Sequence, residues 1–262
     1  MKNLLIYIHP TKSFISPKEG WLGEADILAK VQIDNSLHLG WKREDILLVT
    51  NFDYEYNGVK AIVIGDDNFC EVSPTASKIN AILTLFDDGM IGKDLYWFHD
   101  WDAFQLAPMT EEEIDLKKGC IGLTGYGVTR MRNKDFFRWS TGTLFFRDDI
   151  KDVFKLLKDA VYNYKANEEV ALLALRRTNK LVLSRLQTLD ITYNLATRKR
   201  DVIATYNVAQ KPLKVIHFHP FDKRLVEGES DNMDVCVRGK NSINKVLVSE
   251  KLIELFSQYG IK

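Results

Sequence analysis

The chain has 262 residues, and its 36 lysine and arginine residues balance its 36 aspartate and glutamate residues, so its formal net charge at pH 7 is zero. A content of 45% hydrophobic and 27% charged residues is typical of a globular protein and excludes a disordered, collagen-like or coiled-coil chain. Zero net charge also argues against a nucleic-acid partner, since the basic run at 198–200 is too small to form a groove.

The cysteine content and the apolar runs indicate the compartment. Cys70, Cys120 and Cys236 have no C-x-x-C spacing, which argues against a zinc ribbon and a disulfide framework. We therefore expect a reducing, cytoplasmic setting. No apolar run approaches the roughly 20 residues that span a bilayer, so no transmembrane segment is predicted. The apolar run at 4–8 is too short for the core of a signal peptide.

Short apolar segments alternate with segments of helix length, a pattern typical of βαβ units around a largely parallel sheet. In chain order, the predicted strands lie at 4–8, 46–50, 61–64, 95–98, 143–147 and 214–218. The predicted helices lie at 21–39, 77–85, 150–163, 167–177 and 243–258. The pattern therefore predicts an α/β fold in a single domain that spans residues 1–262.

Two aspartates, Asp100 and Asp102, directly follow the predicted strand at 95–98. Residues i and i+2 of an extended chain point to the same side, so both carboxylates can converge on one point. Two such carboxylates repel each other unless a divalent cation lies between them, and oxygen ligands suit Mg²⁺ or Mn²⁺. The pair predicts a metal site at the carboxyl end of a strand, where ligands of open α/β sheets gather. The alternative is an ordinary solvated turn.

A second polar group ends the predicted strand at 214–218, where His217 and His219 alternate and Lys223 follows. A histidine at a strand end is more often a core residue with satisfied hydrogen bonds, and stacking on an aromatic neighbour is another alternative. Imidazole beside two carboxylates favours Mn²⁺ over Mg²⁺. Lys223 would reach a phosphate as a mobile point charge. The residues alone leave His217 and His219 both open as the third metal ligand.

The order of these motifs resembles the GT-A glycosyltransferases, most closely their retaining, glycogenin-like group of galactosyltransferases and glucosyltransferases. The segment 95–102 is similar to the strand and D-x-D motif of that group, and Lys78 lies where the group has a lysine or arginine on the preceding helix. The segment 140–142 (Ser-Thr-Gly) is similar to an Asn-Ser-Gly turn before a strand. His217 and Lys223 match the spacing of a His-x-x-Gly-x-x-Lys pattern.

This chain also departs from the pattern of the group at several positions. Ser140 replaces an asparagine, and the acidic pair Glu168-Glu169 stands where Asp-Gln is usual. Pro220 occupies the glycine position, and Arg224 replaces the proline after the lysine. These departures fall on expected sugar and acceptor contacts rather than on the expected metal ligands.

The resemblance implies a GT-A-type, Rossmann-like domain with a mixed, mostly parallel central sheet flanked by helices. Within it, a nucleotide-binding part would span about 1–105, an acceptor-side part about 106–224, and a C-terminal helix about 243–258. The implied activity is metal-dependent transfer of a sugar from a nucleotide diphosphate sugar, most often a UDP-sugar. The acceptor would be a glycan, a protein or a lipid-linked sugar, and retention of configuration is expected.

The resemblance also implies a role for each matched residue. Mn²⁺ or Mg²⁺ would be held by Asp100, Asp102 and His217. Lys78 would contact the junction of sugar and phosphate, and Lys223 the diphosphate. The base and ribose would lie at the exit of the first strand, against His9 and Thr11. Glu168 and Glu169 would orient the donor sugar or accept the proton of the acceptor. The alternative for this acidic pair is a solvated first turn of a helix, where carboxylates are favoured.

Three other functions stay open at this point. The first is a metal-dependent phosphohydrolase, with His99-Asp100 and His217-x-His219 as its metal cluster, although hydrolases with a His-Asp motif are helical whereas 95–98 predicts a strand. The second is a nucleotidyltransferase, which would release pyrophosphate from a nucleoside triphosphate. The third is a non-catalytic, nucleotide-binding relative on the same fold.

Overall fold

A seven-stranded sheet forms the centre of the computed structural model, which describes residues 1–10, 20–131, 134–196, 202–218 and 250–260. Its strands, in spatial order, are β10 (Leu186–Leu189), β8 (Ile121–Met131), β9 (Lys134–Phe146), β6 (Tyr96–His99), β1 (Lys2–Tyr7), β2 (Ile46–Thr50) and β5 (Ile62–Val63). Neighbouring strands are parallel except where β9 pairs with β8 and β6. The sheet is therefore mixed and mostly parallel, as predicted.

Helices cover both faces of this sheet because successive side chains of a strand point to opposite faces. On one face, Leu4 and Ile6 belong to the same apolar cluster as side chains of α2 (Ser77–Asp87), α4 (Lys151–Tyr164) and α5 (Glu168–Thr178). On the other face, Leu5 lies in a cluster with side chains of α1 (Gly20–His38) and α8 (Glu250–Gln258). This layered arrangement confirms the predicted α/β class.

A second, three-stranded sheet lies next to the first, in the order β11 (Leu195–Ala196), β12 (Val215–His217) and β7 (Ala103–Gln105). β12 runs antiparallel to β7, which places His217 opposite Ala103. Residues 100–102 connect β6 of the large sheet to β7 of the small one. The predicted D-x-D motif therefore lies at the junction of the two sheets.

The remaining elements are short. They are the hairpin strands β3 (Glu55–Tyr56) and β4 (Val59–Lys60), and the helices α3 (Glu111–Ile114), α6 (Lys180–Ser184) and α7 (Val202–Val208). Single 3₁₀ turns lie at Arg43–Asp45, Asp66–Asn68, Pro74–Ala76, Asp148–Ile150 and Ile191–Tyr193. Segments of this length cannot show a hydrophobic period, and the sequence does not predict them.

The longer predicted elements agree in type with the structure, with ends displaced by a few residues. α5 begins where the sequence places it, because the Asn167 side chain caps the helix by accepting a hydrogen bond from the backbone N–H of Val170 at 2.9 Å. The predicted turn at 140–142 is wrong, since these residues lie inside β9, which is much longer than the predicted strand at 143–147. Residues 243–249 of the predicted C-terminal helix lie outside the described residues.

Within the described ranges, no helix has both the length and the apolar character needed to cross a membrane.

Candidate functional site

Asp100 and Asp102 lie in a tight turn rather than in extended chain. The backbone N–H of Ala103 donates to the carbonyl of Asp100 at 2.9 Å, which closes a four-residue turn between β6 and β7. The N–H of Asp100 donates to the carbonyl of Gly142 on β9 at 2.8 Å, and the carbonyl of Asp102 accepts from Phe218 after β12 at 2.8 Å. The expected alternation along a strand is therefore not what brings the two carboxylates together; a turn anchored to both sheets does so.

His217 meets this turn from the neighbouring strand. Its Nε2 lies 3.0 Å from Oδ1 of Asp102. One ligand atom each of Asp100, Asp102 and His217 can be chosen so that all three lie within 4.8 Å of one another. The structure thus brings together residues that are more than a hundred positions apart in sequence, in a geometry that can hold one metal ion.

The charges at this cluster influence one another strongly. Burial raises the pKa of Asp100, and the nearby cations Lys78 and His217 only partly oppose that rise. Burial lowers the pKa of His217, but the carboxylates of Asp102 and Asp100 outweigh burial and hold this pKa above its ordinary value. Both pKa values are raised, so both residues favour the protonated form. A positive charge between the two aspartates is therefore stabilising.

Gly142 lies at an irregular part of β9 and directly beside the His217 ring. The pairing register of β8 and β9 shifts between Gly122 and Thr124, opposite the part of β9 that contains Gly142. A Cβ atom at Gly142 would lie 2.2 Å from Cε1 of His217 and 3.2 Å from Oδ2 of Asp100. Only a glycine therefore fits at this position beside the cluster.

Lys78 lies on the other side of Asp100, on α2. Its ammonium group contacts Oδ1 of Asp100 at 2.8 Å, Oε1 of Glu168 at 3.0 Å and the carbonyl oxygen of Thr141 at 3.1 Å. Burial lowers the pKa of Lys78, but its two carboxylate partners more than compensate, so its pKa lies above the ordinary value. Lys78 is therefore a buried, permanently charged lysine that joins α2, β9 and α5 to the D-x-D turn.

Glu168 is buried, with 3% of its surface exposed, so the expectation of a solvated helix turn is wrong for this residue. Its Oε1 accepts from the Thr141 hydroxyl at 3.0 Å and its Oε2 accepts from the Thr75 hydroxyl at 2.9 Å. Burial raises the pKa of Glu168, yet Lys78, the backbone N–H of Glu168 and the Thr75 hydroxyl lower it below the ordinary value overall. Glu169 is only half-buried, and its Oε1 accepts from the backbone N–H of Thr141 at 3.3 Å.

His99 does not belong to the metal cluster, although it precedes Asp100. It is fully buried; its Nδ1 lies 2.8 Å from the carbonyl oxygen of Ala103, and its Nε2 lies 3.0 Å from Oδ1 of Asn3. Burial lowers its pKa to about 4. The His99-Asp100 pair expected of a phosphohydrolase is therefore not directed at one ion.

A cavity of about 230 Å³ opens beside the site, at the carboxyl ends of β1 and β2. Aromatic rings form much of its wall, and its lining includes Tyr7, His9, Phe52, Tyr54 and Trp101. Neighbouring rings meet edge to face, with centroids 5.8 Å apart for Tyr7 and Trp101. Of the residues expected to contact a base and ribose, His9 lines this cavity, and Thr11 lies outside the described residues.

Lys223 and His219 also lie outside the described residues, so their positions relative to the cluster are not described. Three site residues escape the sequence reasoning: Thr75, Thr141 and Asn194. Thr75 and Thr141 bind Glu168, and Asn194 Oδ1 lies 3.2 Å from Nδ1 of His217. Thr141 lies within a segment that the sequence comparison singles out, whereas nothing in the sequence marks Asn194.

The whole fold resembles solved glycosyltransferase structures. The galactosyltransferase LgtC, in complex with donor and acceptor sugar analogs, superposes with a TM-score of 0.55 at 12% identity over 98% of this chain and 96% of LgtC. The chain has the GT-A fold. At this identity, the likeness establishes the fold and leaves the activity open.

Two further structures share the GT-A fold with this chain. GlyE, a glycosyltransferase of Streptococcus pneumoniae TIGR4, has a TM-score of 0.54 at 12% identity over 100% of this chain and 64% of GlyE. A glycosyltransferase involved in glycosylation of the major capsid of PBCV-1 has a TM-score of 0.50 at 12% identity, over 83% of this chain and 93% of that one. No family model and no curated protein matches the sequence.

The residues present fit a divalent cation. Two carboxylates and an imidazole form a donor set of the kind that Mn²⁺ accepts. Asp102 and His217 are 7% and 3% exposed, and the missing side chain at Gly142 leaves the space that the His217 ring occupies beside Asp100.

Proposed function

We propose that this chain is a metal-dependent glycosyltransferase that takes its sugar from a nucleotide diphosphate sugar. The observation that carries the proposal is the convergence of Asp100, Asp102 and His217 within 4.8 Å at the junction of the two sheets of a GT-A fold. The aromatic cavity at the ends of β1 and β2 supports it, because it lies at the same edge of the sheet and has room for part of a nucleoside.

The metal site follows from these three residues. Asp100, Asp102 and His217 would hold Mn²⁺ or Mg²⁺, which when bound supplies a Lewis acid for the diphosphate leaving group. Lys78 contacts one oxygen of Asp100 at 2.8 Å and stays charged, so it favours the ionised form of that carboxylate and orients it. Its positive charge also favours an anionic donor nearby.

The two glutamates receive different roles. Both oxygens of Glu168 already accept hydrogen bonds, and its pKa is lowered, so it is a poor proton acceptor and an anchor for Lys78 and Thr141. Glu169 is more exposed, and we assign to it the contact with the donor sugar or the acceptor proton. Retention by attack on the front face needs no protein nucleophile, and we propose retention on that basis.

The rest of the proposal concerns binding and organisation. The base and ribose, with UDP as the expected nucleotide, would lie in the aromatic cavity against His9, with Thr11 and Lys223 as further predicted contacts. The acceptor would be a glycan, a protein or a lipid-linked sugar. We further propose that residues 1–262 form one catalytic domain and that the protein acts in the cytoplasm.

Donor hydrolysis tests the proposal without knowledge of the acceptor. The protein is incubated with a panel of nucleotide sugars with and without Mn²⁺, and release of the nucleoside diphosphate and of the sugar, with its anomeric configuration, is followed by NMR. We expect slow, Mn²⁺-dependent hydrolysis of one UDP-sugar, lost in Asp102→Asn. The matched control is Asp190→Asn, which alters a helix-capping aspartate.

Two outcomes contradict this proposal. Mn²⁺-dependent donor hydrolysis that is unchanged in Asp102→Asn would contradict the site assignment. Pyrophosphate release from a nucleoside triphosphate, or hydrolysis of simple phosphoesters with intact donor, would instead favour the nucleotidyltransferase or the phosphohydrolase.

A further inference from the structure

The His217 ring has a different kind of neighbour at each of three ring positions. Nε2 lies 3.0 Å from Oδ1 of Asp102, and Nδ1 lies 3.2 Å from Oδ1 of Asn194. At Cε1, between the two nitrogens, the absent side chain of Gly142 leaves the space that the ring fills. The ring is therefore restricted in rotation and in translation by Asp102, Asn194 and the backbone at Gly142.

The Asn194 side chain is buried, and its amide is only partly hydrogen-bonded within the described residues. It is 1% exposed and lies between a 3₁₀ turn and β11, next to the small sheet that carries His217. Its Nδ2 is buried and has no hydrogen-bond partner among the described residues. Burial of an unpaired N–H costs free energy, and a leucine of similar size would avoid that cost. The amide oxygen that faces His217 is therefore the part of this side chain whose presence needs an explanation.

The chemistry of a metal-bound histidine supplies that explanation. His217 can bind a metal through Nε2 only if that nitrogen offers its lone pair, and the ring proton must then lie on Nδ1. The Asn194 oxygen accepts a hydrogen bond from that Nδ1–H and so favours this tautomer. The opposite orientation of the amide would direct an N–H at Nδ1 and leave the ring proton on Nε2, where it prevents coordination.

Gly142 acts on the same ring through shape. Its Cβ would lie 2.2 Å from Cε1 and 2.6 Å from Nδ1 of His217, distances that no side chain tolerates. An alanine there would push the ring away from the two aspartates, or would itself be displaced together with β9. Asn194 and Gly142 come from different elements, so they restrict the ring independently.

We propose that Asn194 and Gly142 are positioning residues that fix the tautomer and the place of His217 for metal coordination through Nε2. This inference rests on the proposed metal site, and it adds two residues that contact neither the metal nor the donor. It predicts that both residues affect metal binding through the position and the tautomer of His217.

Electron spin echo spectroscopy of the Mn²⁺-loaded protein tests this directly, because a coordinated imidazole nitrogen modulates the echo. Mn²⁺ affinity is measured in parallel by titration of the free-ion EPR signal. In Asn194→Leu we expect the ¹⁴N modulation to be lost and Mn²⁺ affinity to fall about 10–100-fold. In Asn194→Asp, which retains an oxygen acceptor, we expect the modulation to return and the affinity to recover to within a few-fold.

Two further variants separate positioning from general damage. Gly142→Ala should reproduce the loss of the ¹⁴N modulation by displacing the ring. Asn68→Leu is the control, since Asn68 is also a buried asparagine; its side chain accepts from Thr84 at 2.7 Å and donates to the Gly65 carbonyl at 2.9 Å, and neither partner is a site residue. We expect Asn68→Leu to keep both the modulation and the Mn²⁺ affinity of the wild type.

The outcomes distinguish this inference from the proposed function. A wild-type protein that shows the ¹⁴N modulation, with the same modulation and affinity in Asn194→Leu, would overturn the positioning role and leave the metal site standing. A wild-type protein that binds no Mn²⁺, or binds it without the modulation, would overturn the proposed metal site itself. Failure of Asn194→Asp to restore either readout would also count against the acceptor role of Asn194.

Discussion

The two halves of the candidate site are built on different principles. On one side of Asp100, Lys78 and Glu168 form a closed cluster, in which the ammonium group has three acceptors and both oxygens of the glutamate are hydrogen-bonded. On the other side, two carboxylates face one imidazole, and the nearby Asn194 amide keeps a buried N–H without a partner among the described residues. We infer that the first half stabilises the fold and that the second half is suited to a ligand.

Of the variants that test this difference between the two halves, Lys78→Met should lower the free energy of unfolding most. The change removes the ammonium group that pairs with both carboxylates, and it leaves the buried Glu168 and the partly exposed Asp100 without that partner. Breaking a buried pair in this way destabilises a protein by about 3–5 kcal/mol. The free energy of unfolding in urea, followed by tryptophan fluorescence, measures the loss.

Lys30→Met is the control for this change. Lys30 pairs with Asp26 at 2.6 Å one turn away on α1, but both side chains are much more exposed. An exposed pair of this kind contributes no more than about 0.5 kcal/mol. Equal losses in the two variants would show that the Lys78 cluster does not stabilise the fold as we infer.

A smaller effect should separate the two adjacent glutamates. Glu168→Gln removes the charge that faces Lys78 while keeping the shape, and we expect a loss of about 1–3 kcal/mol in the free energy of unfolding. Glu169→Gln should change stability by less than about 0.5 kcal/mol, as half-exposed positions do, and should lower the rate of donor hydrolysis. The reverse pattern, with Glu169 needed for stability and Glu168 for turnover, would contradict our assignment of the pair.

How far the sequence predicts this site depends on the length of the elements that carry each residue. Lys78 and Glu168 lie on long helices whose hydrophobic spacing and capping residue are visible in the sequence, so their elements are predicted correctly. The burial of Glu168 is not predictable in the same way, because acidic residues in a first helical turn are usually favoured by the helix dipole in solvent. The burial of Glu168 follows from its tertiary contacts with Lys78 and Thr75, which the sequence does not show.

The meeting of His217 with the two aspartates is predicted for a reason that is partly wrong. The carboxylates converge through the turn that Ala103 closes on Asp100, not through strand alternation. The strand that carries His217 and its partner β7 are only three residues long, and their pairing links segments more than a hundred residues apart. Neither a hydrophobic period nor a local motif contains that information, and the same holds for Asn194 and for the space at Gly142.

The smallest expected effect is the pH dependence of the free energy of unfolding that Glu168 causes, and it also tests the cluster of Lys78 and Glu168. The pKa of Glu168 in the folded protein lies below its ordinary value of 4.5, because Lys78, the backbone N–H of Glu168 and the Thr75 hydroxyl together outweigh burial. Its stabilising contribution is therefore complete above that ordinary value and is lost as the pH falls through the lower, folded-state pKa. Urea unfolding across this range should show the wild type and Glu168→Gln converging in acid, and a constant gap would contradict the charge assignment.

The turn that holds Asp100 and Asp102 also serves as the bridge between two separate sheets, and the third ligand belongs to the smaller one. An ion held there would cross-link the two sheets. Its removal by a chelator should therefore loosen the small sheet as well as stop any metal-dependent reaction. The three short strands of the small sheet should then exchange their amide hydrogens sooner, while β1, β2 and β6 keep their protection.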